Sequence, residues 1–283
     1  MNNNVIIEFW GVRGSVPSPG PNTTKYGGNT SCVSITINNK VLILDAGTGI
    51  RNLGSELIKC PEKEIFILLS HSHWDHIQGF PFFKPIYQPE RPVYMFPTLF
   101  KKNIVLSSLV EQMDGAHFPI TPDQVPSNFK FITDNPLDFL AENGFIVEPI
   151  PLNHPGNAIG FRIAIADKLI CYFTDNEIDP PYPKTIDYST LVVVSKNADV
   201  LIHDAQYIEE DMPLKHGWGH SLINQVTNLG HDAKVKNLVY FHHDPERTDD
   251  EIDEIFKHEK SWLIENESKT NPIFAHEGLV LTL

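Results

Sequence analysis

Ile65-Phe66-Ile67-Leu68-Leu69-Ser70-His71-Ser72-His73-Trp74-Asp75-His76 is the stretch on which the reading of this chain turns. Five apolar residues in a row predict a buried strand, and within seven residues of its end come three imidazoles and a carboxylate. A solvated turn has no use for so many histidines. Imidazole and carboxylate donors together suit Zn²⁺ and neighbouring divalent metals. Four of them on one loop can serve two adjacent ions, His71 and His73 on one, Asp75 and His76 on the other.

A strand followed by His-x-His-x-Asp-His resembles the metallo-β-lactamase superfamily, in which a third histidine, a bridging aspartate and a last histidine arrive later, each at a strand end. This chain offers them in order. His154 closes Phe145-Ile-Val-Glu-Pro-Ile-Pro-Leu-Asn-His154, Asp175 closes Lys168-Leu-Ile-Cys-Tyr-Phe-Thr-Asp175, and His242 closes Leu238-Val-Tyr-Phe-His242. The resemblance runs from Phe9 to about Gly278. It implies a first metal on His71, His73 and His154, a second on Asp75, His76 and His242, and Asp175 bridging. Two ions a few ångströms apart lower the pKa of a shared water, giving hydroxide at physiological pH, and offset charge that builds on a phosphoryl group. Zinc is the first choice of metal, with manganese or iron as alternatives, since all accept these donors. His243 follows His242 directly; strand alternation sends the two to opposite sides, the family register picks His242, and His243 stays open as the alternative. Asp45, ending Val41-Leu-Ile-Leu-Asp45, resembles the family's buried aspartate that orients the histidine loop; capping of the next helix is the other reading, and both can hold.

Trp218-Gly-His-Ser-Leu222 is similar to the Gly-His-Ser/Thr segment of ribonuclease Z and its phosphodiesterase relatives. There the histidine faces the scissile phosphate, and an acidic residue at the end of a preceding strand holds it. His220 and Asp204, the latter ending Val200-Leu-Ile-His-Asp204, fill those positions and imply general acid chemistry. β-Lactamases and glyoxalase II lack the pair. The turns at Trp10-Gly-Val-Arg-Gly-Ser-Val-Pro17, Tyr26-Gly-Gly-Asn-Thr-Ser-Cys32 and Phe241-His-His-Asp-Pro245 are similar to those of relatives of phosphoribosyl 1,2-cyclic phosphate phosphodiesterase. His117, His203, His216, His231, His258 and His276 have no such support, and Trp74 reads as packing.

The composition bounds the partners. Asp and Glu number 36 against 22 Lys and Arg, a formal net charge of −14. Such a body repels a long phosphate backbone, whose binding rests on Lys and Arg. The balance favours a small anionic substrate drawn to the metals. No apolar run approaches the roughly 20 residues that span a bilayer, the amino terminus is polar, and three scattered cysteines argue against a disulfide framework. A cytoplasmic protein is expected; a homodimer is implied only by the relatives.

Along the chain, strands are expected over 5–10, 33–37, 41–44, 65–69, 145–152, 168–175, 199–203, 238–242 and 279–283. Helices are expected over 50–58, 99–113 and 220–229, and a last one behind the capping box Thr248-Asp-Asp-Glu251. Residues 80–136, rich in proline and aromatics, read as a rim or lid inserted in a single domain spanning 1–283. Elements alone give α/β with mixed sheets; the resemblance makes it an αββα metallo-β-lactamase sandwich, two mixed β-sheets flanked by helices. The activity it implies is a dinuclear phosphodiesterase that hydrolyses a small or cyclic phosphodiester, such as a cyclic nucleotide or ribosyl cyclic phosphate. A ribonuclease Z-like tRNA 3′ endonuclease is the alternative. A thioester or lactam hydrolase and an inactive metal-binding sensor are further ones.

Overall fold

Two mixed sheets, each faced by helices, organise the chain in the computed structural model, which describes residues 4–96, 108–109 and 111–283. The chain divides into two compact units. The first comprises the described parts of Met1–Pro17, Asn29–Asn143 and His276–Leu283. Its strands, numbered along the whole chain, are β1 (Ile6–Gly11), β2 (Cys32–Ile37), β3 (Lys40–Leu44), β4 (Glu64–Leu68), β5 (Pro92–Met95), β6 (Asn128–Phe131) and, last in the chain, β13 (Val280–Thr282). They lie in the order β13-β1-β2-β3-β4-β5-β6. The β2–β3 pair is the expected hairpin, closed at Ile37↔Lys40, with Asn38 in the left-handed region that its short polar side chain tolerates.

The apolar run before the histidine loop becomes β4, flanked on both edges by parallel neighbours β3 and β5. A strand so placed is buried on both faces, which is why it reads as continuous rather than alternating hydrophobicity. Between β3 and β4 the chain crosses over through helix α1 (Ile50–Leu57), whose Ile50, Leu53 and Leu57 pack into one core with Ile43, Ile65 and Ile67. A single helical turn, α2 (Trp74–Ile77), follows the histidine pair, and α3 (Pro136–Glu142) ends the unit's central segment. The segment 80–136 contributes β5 and the edge strand β6. Of the helix expected over 99–113, residues 99–107 and 110 lie outside the described residues; Ser108, Leu109 and Glu111 are helical.

The second unit, Ser18–Gly28 with Gly144–Ala275, repeats the scheme. Strands β7 (Ile146–Pro151), β8 (Ile159–Ile165), β9 (Lys168–Phe173), β10 (Val200–Asp204), β11 (Asn237–Phe241) and β12 (Asn271–Phe274) lie in sequence order. As in β1 to β6, the first three strands pair antiparallel and the rest parallel. Helices α4 (Tyr188–Val194), α5 (Ile223–Asp232) and α6 (Asp249–Glu265) supply Leu191, Val226, Leu229 and Ile252 to its core. The helix expected from His220 begins three residues later. Tyr207 N–H donates to Ser221 O, and Ile223 N–H to Tyr207 O, which holds the stretch before α5 extended. His220 therefore sits in a loop.

Most of the chemistry-bearing residues, Asp45 and the histidine loop in the first unit and Asp175, Asp204 and His242 in the second, fall at the carboxyl ends of parallel strands, where open α/β sheets place their ligands. Helix α6 starts as its sequence predicts: Thr248 Oγ1 accepts the Glu251 N–H, and the Glu251 carboxylate accepts the Thr248 N–H. Thr248→Ala removes that cap, and a loss of about 1 kcal/mol is expected in urea unfolding followed by circular dichroism.

Candidate metal centre

In the first unit the turn after β4 gathers His71, His73, Asp75 and His76. The His71 ring centroid lies 4.5 Å from that of His73 and 4.3 Å from that of His76. Asp45, fully buried at the end of β3 with φ 63°, is the organiser. Its carboxylate accepts the Ser70 N–H at 2.6 Å, the Ser70 hydroxyl at 2.9 Å and His76 Nδ1–H at 2.9 Å. It does not cap α1, whose N-cap is Gly49. The Asp75 Oδ2 atom accepts the Ser15 N–H at 2.7 Å and lies 3.2 Å from His76 Nε2.

In the second unit the turns after β7, β9, β10 and β11 gather His154, Asp175, Asp204, His220 and His242. Asp175 and His242 both carry left-handed backbone, φ 53° and 63°. That conformation is uncommon for a non-glycine residue, and it ends each strand with its side chain turned to the cluster. His154 Nδ1–H donates to Gly219 O at 3.0 Å, and His242 Nδ1–H to Gln206 Oε1 at 3.0 Å. Their Nε2 atoms lie 3.6 and 3.3 Å from the two oxygens of Asp175. His243 points the other way: its Nε2–H donates to Ala275 O at 2.8 Å, and its ring stacks on Phe274.

The donor set fits a divalent metal. In His76, His154 and His242 the Nδ1 hydrogen goes to a protein acceptor, so each imidazole turns the lone pair of Nε2 toward a buried carboxylate. Two Lewis bases at such separations attract once a metal ion, or a proton on the imidazole, lies between them, and neutral imidazole with carboxylate is a donor pair that divalent zinc accepts. The hydrogen bonds from Nδ1 are those that orient metal-ligating histidines.

Asp204 and His220 form a different arrangement. His220 Nδ1–H donates to Asp204 Oδ2 at 2.6 Å, while Asp204 Oδ1 accepts the N–H groups of Gln206 and Ser221 at 3.2 and 3.3 Å. Atoms of Asp175, Asp204, His220 and His242 lie within 4.8 Å of one another. Both oxygens of Asp204 thus accept protein donors, one of them from His220. The His220 ring lies 5.0 Å from His242, stacked, and 5.3 Å from His154.

Several members of the cluster were not legible in the sequence. Glu177 is buried and accepts the N–H groups of Gly217 and Gly219 at 2.8 and 2.9 Å, shaping the loop that holds His154. Asn176 links neighbouring turns: its side-chain oxygen accepts the Asn153 N–H at 3.0 Å, and its amide donates to His203 Nε2 at 3.2 Å. His203 is fully buried, and burial lowers its pKa, so it stays neutral with Nδ1–H on Asp204 O at 2.7 Å. The run Thr174-Asp175-Asn176-Glu177 was the only available signal. His117 and His216 are exposed and bind nearby protein groups, Asp114 and the Asp179 carbonyl.

Residues 40–243 match the family model of the β-lactamase superfamily domain. The chain belongs to the β-lactamase superfamily. It is a metal-dependent hydrolase of the metallo-β-lactamase superfamily. Ribonuclease Z of Staphylococcus aureus (strain MSSA476) is 23% identical over 310 residues, covering 94% of this chain and 95% of that protein. The metallo-β-lactamase fold protein YhfI from Bacillus subtilis superposes with a TM-score of 0.66 at 17% identity, over 100% of both chains. A diphosphatase from the PhnP family gives 0.65 at 17% identity, over 98% of this chain and 97% of that one. The two mixed sheets with flanking helices are the superfamily's α/β fold, as expected.

Gly219, at φ +95°, leaves no room for a side chain: a Cβ there would stand 2.1 Å from His154 Nδ1. Gly219→Ala is expected to lower divalent-metal affinity about 10- to 100-fold by equilibrium dialysis, with the circular dichroism spectrum unchanged. Wild-type affinity in the variant would remove His154 from the ligand set.

Proposed function

We propose that this chain is a phosphodiesterase of small or cyclic phosphodiesters, with residues 1–283 working as one catalytic domain. The observation that carries the reading is the Asp204–His220 hydrogen bond, 2.6 Å long and buried beside His242. A hydrolase of lactams or thioesters needs no such pair. The ligand assignment is the one the resemblance implies: His71, His73 and His154 for one ion, Asp75, His76 and His242 for the other, Asp175 for both. We take both ions to be zinc, which this imidazole and carboxylate set suits.

The bound ions would supply an acidified water and offset the charge of the phosphoryl oxygens. The chain's own residues do the rest. Asp204 fixes His220 with Nδ1–H inward, which leaves Nε2 as the atom that holds a transferable proton. As the oxygen of water bonds to phosphorus and the opposite P–O bond breaks, the departing oxygen takes that proton. Asp45 and Gln206 keep His76 and His242 in one tautomer throughout.

A tRNA 3′ endonuclease is the second reading, favoured by the similarity to Staphylococcus aureus ribonuclease Z along nearly the whole chain. The formal charge of −14 weighs against a long polyanion as substrate, and small diesters are preferred here for that reason. Among the described residues no helix is long and apolar enough to cross a membrane.

The zinc-loaded protein should be assayed on bis-p-nitrophenyl phosphate, a panel of cyclic nucleotides, ribosyl 1,2-cyclic phosphate and precursor tRNA. His220→Ala should cut cleavage of diesters with an alkoxide leaving group by about 10²- to 10⁴-fold. The loss on bis-p-nitrophenyl phosphate should be smaller, because nitrophenolate departs without a proton. Equal losses on both, or none, would contradict the general-acid role. Asp75→Ala should lower metal content together with rate; a variant that keeps the wild-type metal content would contradict the ligand set.

A further inference from the structure

A cavity of about 520 Å³ in the first unit opens beside the metal loop, lined among others by Ser72, Trp74, Gln78, Phe82, His117 and Phe118. Ser72 and Trp74 alternate with His71, His73 and Asp75 in the sequence, so the cavity wall and the proposed ligands share one short stretch of backbone. Consecutive Cα atoms lie only about 3.8 Å apart. The sequence alone reads Trp74 as packing, yet its side chain is 75% exposed. Phe82 is 54% exposed and meets Phe118 edge-to-face, ring centroids 5.4 Å apart. Three aromatic rings thus face one cavity at the edge of the metal loop.

The charge of the cavity is equally telling. Glu111 and Asp114 also line it, and among the described lining residues there is no Lys or Arg. With Asp114 already paired to the lining His117 at 2.7 Å, the described wall gives a phosphate no Lys or Arg to bind. The part of a phosphodiester that fits is uncharged, planar and equipped with hydrogen-bond donors, which describes a nucleobase. Aromatic faces bind bases by stacking, and carboxylate and amide groups at the rim match ring N–H and exocyclic amino groups.

We propose that this cavity is a base subsite, with Trp74 as the stacking platform, and that the substrate of the proposed phosphodiesterase is therefore a nucleotide rather than a base-free ribosyl phosphate. The proposal rests on the phosphodiesterase reading for its biological meaning, but binding of a base can be measured without it. The phosphate would sit at the metal loop and the base beside it, one nucleoside length away.

The test titrates the zinc-loaded protein with adenosine and with guanosine, neither of which carries phosphate, and follows tryptophan fluorescence. Saturable quenching by at least one nucleoside is expected, with ribose giving none. Phe118→Ala and Phe82→Ala should each weaken binding at least about fivefold, and Trp74→Ala should abolish the quenching, all three with metal content at the wild-type value. For a cyclic nucleotide, Phe118→Ala should raise KM by a similar factor with kcat nearly unchanged, and leave KM for ribosyl 1,2-cyclic phosphate as it was. Absence of saturable quenching, or an unaltered midpoint in Trp74→Ala, would overturn the subsite. Cleavage of bis-p-nitrophenyl phosphate without nucleoside binding refutes the subsite alone. Nucleoside binding without cleavage of any diester refutes the phosphodiesterase reading and leaves the subsite standing.

Discussion

Asp175 is 1% exposed and lies with one oxygen 3.3 Å from His242 Nε2 and the other 3.6 Å from His154 Nε2. Everything else in the candidate site depends on that confrontation. A carboxylate taken out of water is costly unless a cation or several hydrogen bonds compensate it. Here the two imidazoles have already given their Nδ1 hydrogens to Gly219 and Gln206. They turn lone pairs toward the carboxylate, whose Oδ1 also accepts the Thr174 hydroxyl at 2.8 Å, and a divalent ion held between them would turn that repulsion into coordination. The same logic recurs around Asp75 and His76, with Asp45 as the acceptor behind the ring.

The fold exists to hold such groups at strand ends. From β1 to β6 and from β7 to β12 the first three strands pair antiparallel and the rest parallel, with β13 added antiparallel to β1, so the parallel strands deliver their carboxyl ends to one edge of each sheet. At these edges Asp45, Asp175 and His242 all adopt positive φ. Left-handed backbone costs an L-residue on the order of 1 kcal/mol, a strain that fits the clustering of sparsely populated backbone at functional sites. Strands buried along nearly their whole length, such as β4 and β10, supply the rigidity that keeps these turns in place.

Much of this was legible because strand burial and ligand chemistry leave local marks. The continuous run at Ile65 to Leu69, the hairpin at Asn38 and the capping box at Thr248 each rest on neighbours in sequence, and each appears where expected. What stayed hidden rests on distant partners. Gln206 and Gly219 look like ordinary loop residues until His242 and His154 are folded against them, and Glu177 gains meaning only from two glycine N–H groups some forty residues on. Strands β5, β6, β8 and β12 were not expected. Of these, β5, β6 and β12 are four residues each, two of them with proline, and carry little periodicity. Strand β8 is seven residues long with apolar residues at alternate positions and was legible in principle. An edge strand such as β12 tolerates Pro272. The start of α5 was misplaced because the pairing of Tyr207 with the stretch 221–223 overrides local helical preference.

The most direct measurement is X-ray absorption at the zinc edge of the zinc-loaded protein. The account requires a first shell of nitrogen and oxygen at about 2.0–2.2 Å, with the outer-shell multiple scattering that imidazole rings produce. A shell of oxygen alone without imidazole scattering, or one containing sulfur at about 2.3 Å, would contradict it.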